Sequence, residues 1–119
     1  MAIPNIVSVS SIYGTTVVGV LTTTLTTTLV TAASDKVLKI NVIRCTNITD
    51  NDATVTLDVE VSGTHKKIAN EVTVPANSVV VIVDKNSSFY LQETDLLRGG
   101  ASAGTTIDFM VSYEILDDA

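Results

Sequence analysis

One histidine, one cysteine and a few neighbouring carboxylates are the residues of this 119-residue chain best suited to chemistry. His65 follows Ser62-Gly63 and stands beside Lys66 and Lys67. A metal site around it would need carboxylates brought in from elsewhere, and no ligand spacing suggests them. Nucleophilic catalysis by one of the many Ser or Thr hydroxyls would need a base in hydrogen-bond reach and a third group to orient that base. A lone His at a turn reads instead as a solvated side chain. Cys45 has no second cysteine, so an internal disulfide and a thiolate zinc cluster are both excluded. It lies in a strand-like run, Leu38 to Thr46, where a small buried thiol is expected.

Asp50-Asn51-Asp52 has the oxygen ligands a calcium site uses. An EF-hand loop would add alternating ligands, a central Gly and a distant Glu, and none is present. The motif reads as a plain turn, although two carboxylates and carbonyls could hold one Ca²⁺ there. Gly99-Gly100 and Gly104 lie in a small-residue segment that follows no βα unit and lacks a phosphate-loop Lys, so a hairpin connection is expected. Asn47-Ile48-Thr49 and Asn86-Ser87-Ser88 match the N-glycosylation pattern, and since Met1-Ala-Ile-Pro-Asn does not read as a secretory signal, a chance match is expected. Glu93 and Asp95 read as turn residues before a strand. The expectation is therefore no catalytic residue, no cofactor, no metal and no enzyme.

The charge of −6 disfavours sequence-independent nucleic-acid binding, which needs Lys and Arg against phosphates. It equally disfavours an anionic membrane surface. Met1-Ala-Ile-Pro-Asn lacks the basic end and apolar stretch of a secretory signal, so synthesis in a reducing cytoplasm is expected. The absence of Trp argues against a stacking site for sugars or bases. Val, Ile, Leu and Thr dominate, and branched side chains suit a pleated surface.

Two stretches would hold any site in place. Val55, Leu57, Val59 and Val61 alternate with Thr54, Thr56, Asp58 and Glu60. Ile107, Phe109, Val111, Tyr113 and Ile115 alternate with Asp108, Met110, Ser112 and Glu114. In a strand such alternation puts one set on a core and the other in water. Val55, Leu57, Val59, Phe109, Val111 and Tyr113 should share a core, with Asp58, Glu60, Asp108 and Glu114 outside. Further strands are expected at Ile6 to Ser10, Thr15 to Leu21 (after a turn at Tyr13-Gly14), Leu38 to Thr46, Lys67 to Val74, Val79 to Val83 and Phe89 to Leu91. The apolar run Val79 to Val83 reads as a central strand, and Gly99 to Thr105 as a loop. Leu21, Leu25 and Leu29 have helical spacing, but the Thr residues between them favour extended structure.

These features predict one all-β domain, an antiparallel β-sandwich of jelly-roll or immunoglobulin-like type with about eight strands. Residues 1–34 carry almost no charge and read either as edge strands or as an arm on a neighbouring subunit. Residues 35–119 form the sandwich body.

A set of short motifs adds to this. Met1-Ala-Ile-Pro-Asn, Ile12-Tyr13-Gly14, Lys36-Val37-Leu38-Lys39-Ile40-Asn41, Val74-Pro75-Ala76-Asn77, Phe89-Tyr90-Leu91-Gln92-Glu93-Thr94-Asp95, Ala101-Ser102-Ala103 and Ile107-Asp108-Phe109-Met110-Val111-Ser112-Tyr113-Glu114 occur in this order. Together they resemble small virion structural proteins of marine tailed phages, notably contractile-tailed cyanophages. The resemblance implies a virion component, a head decoration or cement protein, that binds other virion proteins (major capsid or neck and tail proteins) and copies of itself. The alternative is a collar or tail-fibre component, or a receptor- or glycan-binding module.

Overall fold

The computed structural model describes residues 11–25, 27–104 and 106–117. Nine strands are present among them: β1 (Ser11–Val20), β2 (Thr27–Thr31), β3 (Lys36–Asn47), β4 (Ala53–Val61), β5 (Thr64–Val74), β6 (Val79–Val83), β7 (Phe89–Leu91), β8 (Leu96–Ala101) and β9 (Ile107–Asp117). The expected strand at Ile6 to Ser10 lies outside the described residues. Every pairing is antiparallel, which fits connections made of turns rather than crossover helices.

One sheet has the order β1-β9-β3-β6, with β7 also on β3. The other has the order β2-β8-β4-β5. β6 pairs with Ile43–Thr46 of β3 and β7 with Leu38–Ile40, so the two act as one strand interrupted by a 3-10 turn at Lys85–Ser87. Counted that way, eight strands remain. The first pairs with the last, the second with the last but one, and so inward to the β4–β5 hairpin. This folded ribbon is a jelly roll, which decides between the two sandwich types expected.

Local chemistry explains the turns. Ser62 and Gly63 have φ of 52° and 83°, and Val61 pairs with Thr64. Two successive left-handed residues make the tight hairpin turn whose twist suits its strands. Asp84 accepts a hydrogen bond from the Asn86 N–H, and Ser87 Oγ accepts one from the Asp84 N–H, a capping box around the 3-10 turn.

The core lies between the sheets. Val55, Leu57, Phe109 and Val111 are buried as expected, while Val59 and Tyr113 pack at its margin. Leu21 and Leu29 also enter the core, from extended rather than helical backbone. Asp108 is exposed, and Glu60 and Glu114 are partly so. Asp58 departs from the expectation and is only 2 % exposed. It does sit on the outer face, but a neighbouring Arg covers it.

Three other expectations are corrected. The backbone does not turn at Tyr13-Gly14, because β1 runs straight through and pairs with β9 from Ser11 to Val20. Val79 to Val83 forms an edge strand, with Val79 and Val81 about half exposed, so its apolar run does not reflect burial on both faces. Gly99 and Gly100 belong to β8, not to a loop. They are glycines because of close approach. A Cβ on Gly99 would lie 2.7 Å from a Leu57 methyl, and one on Gly100 would lie 2.7 Å from the Thr24 carbonyl oxygen. The segment after Leu21 crosses over β8 there, with the Ala101 N–H donating to the Thr22 carbonyl at 2.8 Å. Gly100→Ala should therefore destabilise the fold by about 1–3 kcal/mol, the usual cost of overpacking, since backbone must move. Urea denaturation of the variant measures it, and an unchanged midpoint would mean that the crossing segment yields freely.

Candidate functional site

The titratable groups converge at one place, on the outer face of the β2-β8-β4-β5 sheet. Asp58 of β4 pairs across to Arg98 of β8, and Glu60 pairs across to His65 of β5. Arg98 grips Asp58 with two bonds, Nε to Oδ1 at 3.0 Å and a terminal nitrogen to Oδ2 at 2.6 Å. This bidentate geometry is the strong form of a charge-assisted pair. The hydrogen bonds that Arg98 donates to the Asp58 carboxylate hold its guanidinium above its ordinary pKa. His65 Nε2 lies 3.1 Å from Glu60 Oε1, and its Nδ1 lies 3.8 Å from Asp58 Oδ2. His65 is thus on a strand beside two carboxylates, not at a turn in free solvent.

This cluster resembles part of a catalytic relay only in composition. Both Asp58 oxygens are engaged by Arg98, and among the described residues no hydroxyl or thiol is hydrogen-bonded to His65. Nucleophilic catalysis needs that contact. The arrangement fastens three strands together and keeps a charged row on the outer face.

The remaining candidates are dispersed. Asp50 Oδ1 accepts from Asn77 Nδ2 at 2.9 Å, and Asp52 Oδ1 accepts from the Ala76 N–H at 3.0 Å. The two acids thereby clip the β3–β4 turn to the β5–β6 turn. Among the described residues no three His, Cys, Asp or Glu side chains are placed so that together they could hold a metal ion. Asn47 is buried, and its Nδ2 donates to the Asn51 and Val74 carbonyls at 2.7 Å and 3.0 Å. An amide held so cannot serve as a glycosylation acceptor in the folded chain. Glu93 Oε2 accepts from the Asp35 N–H at 2.8 Å. Asp95 is buried at the start of β8, and its Oδ2 accepts from the Gln92 N–H at 3.0 Å.

Cys45 is 0 % exposed, and burial pushes its thiol up to about 12. The thiolate is the reactive form, so the folded chain should resist a thiol reagent at pH 8 and react at once in denaturant. The sign of the linkage is also fixed. The unfolded thiol loses its proton near 9 and the folded one near 12, so stability should fall as pH rises across that window. Native-state labelling at the unfolded rate would place Cys45 outside the core.

Grooves open on both sheets among the described residues. One, of about 480 Å³, lies beside the charged row and is lined by Thr54, Thr56, Lys67, Asn70, Glu71 and Ser102 among others. Its walls hold no aromatic side chain. The other, of about 500 Å³, opens on the outer face of the β1-β9-β3-β6 sheet near Val18, Val20 and Met110. Here cross-strand rows run Val18–Met110–Arg44–Val81 and Val20–Asp108–Thr46–Val79. Val18 is 73 % exposed, and Val20, Val79 and Val81 are also exposed. Exposed Arg44 and Asp108 stand between the two groups, so the outward valines form a separate apolar strip on each edge strand rather than one patch.

Sequence reasoning missed both features. Alternation alone sent Asp58 outward, and no spacing rule ties it to Arg98, forty residues on. The valine strips did leave a signal, the uncharged β1 segment and the Val79–Val83 run, but strand order decides that these become edges. No protein-family model matches the sequence, and no curated protein matches it. No helix among the described residues is long and apolar enough to cross a membrane.

Proposed function

We propose that the chain is a virion structural protein of a tailed phage, a head decoration or cement protein that acts by protein–protein binding alone. It would be assembled in the host cytoplasm, would bind major capsid or neck and tail proteins, and would act as a homo-oligomer without nucleic acid or membrane. The observation that supports this reading most is the edge strand β1, ten residues without a charge and with Val18 and Val20 exposed, in a chain of net charge −6. The motif resemblance points the same way. The jelly roll is common in capsid and lectin domains, an argument by analogy only.

A collar or tail-fibre component, or a receptor- or glycan-binding module, is the second reading. The polar groove beside Lys67 and Glu71 favours it, and the lack of an aromatic wall there weighs against it.

Purified particles test the proposal. Mass spectrometry should find the chain at a fixed, high ratio to the major capsid protein, and particle imaging should place it on the head. Particles lacking the chain would overturn the virion reading. Density at the collar or fibres would replace the decoration role with the second reading.

A further inference from the structure

A sandwich has four sheet edges, and an open edge is a template for another strand. Three of the four are guarded here. β5 carries Lys66, Lys67 and Glu71, and its register with β4 is broken twice. β6 and β7 are short and interrupted by the 3-10 turn. β2 has five residues and a register shift. Among the described residues β1 has none of these devices and no strand on its outer side. It is ten residues long, without charge or Pro, and its register with β9 is unbroken from Ser11 to Val20.

We propose that β1 pairs with β1 of a second copy, antiparallel, about a two-fold axis at Thr16. The pairing must match outward residues with outward ones, since a one-residue slip exchanges the faces. Among the registers that do so, one places both glycines of β1 opposite large side chains. Centred on Thr16, it sets Val18 of each copy across from Gly14 of the other, and Tyr13 across from Gly19. A Cβ on Gly14 would meet nothing within 4 Å, so there is room for Val18. At Gly19 the Phe109 ring already occupies the Cβ position, at 2.7 Å, so Tyr13 of the other copy arrives beside an aromatic ring. Ile12 falls across from Val20, both exposed in the single chain.

Charge selects the occupant as well. Two copies each of net charge −6 can approach closely only through neutral surface, and β1 is neutral. The register also keeps acids apart. Glu114, beside Gly14, faces the row of Val18, Met110 and Arg44 of the other copy. Asp108, beside Val20, faces that of Ile12 and Leu116. An edge of this length covers less than the roughly 800 Å² per partner of a standard interface, so the pair should be weak and concentration-dependent.

The inference deepens the multi-copy reading above and can fail without it. Virion incorporation of a chain that never self-pairs would leave that reading standing and remove this one. Sedimentation velocity of the full chain over a concentration series should show monomer passing to dimer. Thr16→Lys places like charges opposite each other on the axis and should leave monomer only, at an unchanged melting temperature. Val18→Lys is the second variant, should the first fold poorly. Thr16→Cys should give an intermolecular disulfide on mild oxidation, because directly opposed strand residues lie within disulfide range. Val18→Cys alone should not, and buried Cys45 does not compete. A chain that stays monomeric, a dimer indifferent to both Lys variants, or cross-linking at Val18→Cys instead of Thr16→Cys would overturn the proposal.

Discussion

Phe109→Ala should lower stability by about 3–5 kcal/mol, the usual cost of emptying the space of a buried aromatic. The ring is 7 % exposed and lies against β1 where Gly19 leaves room for it. Gly19 has no side chain to collapse into the void. Cys45, its partner on β3, is already packed. A domain of this size has only about 5–15 kcal/mol in total, so the variant should melt on the order of 10 °C lower or more. Calorimetry of both proteins checks this, and a shift of a degree or two would take the ring out of the core. Removing residues 1–20 takes away β1 and uncovers Phe109, so loss of assembly in such a truncation would report damage to the sandwich.

Arg98→Ala should cost about 3 kcal/mol, toward the lower end for a buried charge left without its partner. Asp58 is 3 % exposed as a side chain and has both oxygens on Arg98. Water can enter where the guanidinium stood, since Arg98 is 24 % exposed, and this limits the loss. The double variant Asp58→Ala/Arg98→Ala should be more stable than Arg98→Ala alone, because it removes the stranded carboxylate along with its partner. Equal stability of the two variants would show that the Asp58 charge is solvated without Arg98.

The strands were legible where one face is buried and the other is wet. Residues 54–61 and 107–115 alternate because each lies in a sheet with one face on the core. Residues 79–83 do not alternate, and there the apolar run meant an exposed edge. Whether a valine faces a core or open solvent depends on strand order, which local pattern does not contain. The glycines of β8 were misread for a related reason. Their need arises from Leu57 and from the Thr24 carbonyl, which reach Gly99 and Gly100 only in the folded chain. The row of Asp58, Glu60, His65 and Arg98 was hidden in the same way, being assembled from three strands. The dispersal of the other polar motifs was legible, since each had too few ligands or partners nearby to make a site.

The nested strand pairing also sets an order of events in time. β4 and β5 meet across two residues, whereas β1 finds β9 only after the chain between them has been brought into place. Closing longer loops costs more entropy, and distant pairings are slow to form. The chain should thus zip outward from Ser62-Gly63, with β1 docking last and the β9 edge open until it does. Pulsed hydrogen exchange should find β1 amides protected after those of β4. Ser11 lies opposite Asp117, so a short linker from Asp117 to Ser11, with new ends cut at Ser62-Gly63, preserves every strand pair among the described residues. In that permutant β1 and β9 become the nearest neighbours in sequence and should be the first to pair, which shortens the interval in which a neighbour's β1 could take the vacant place.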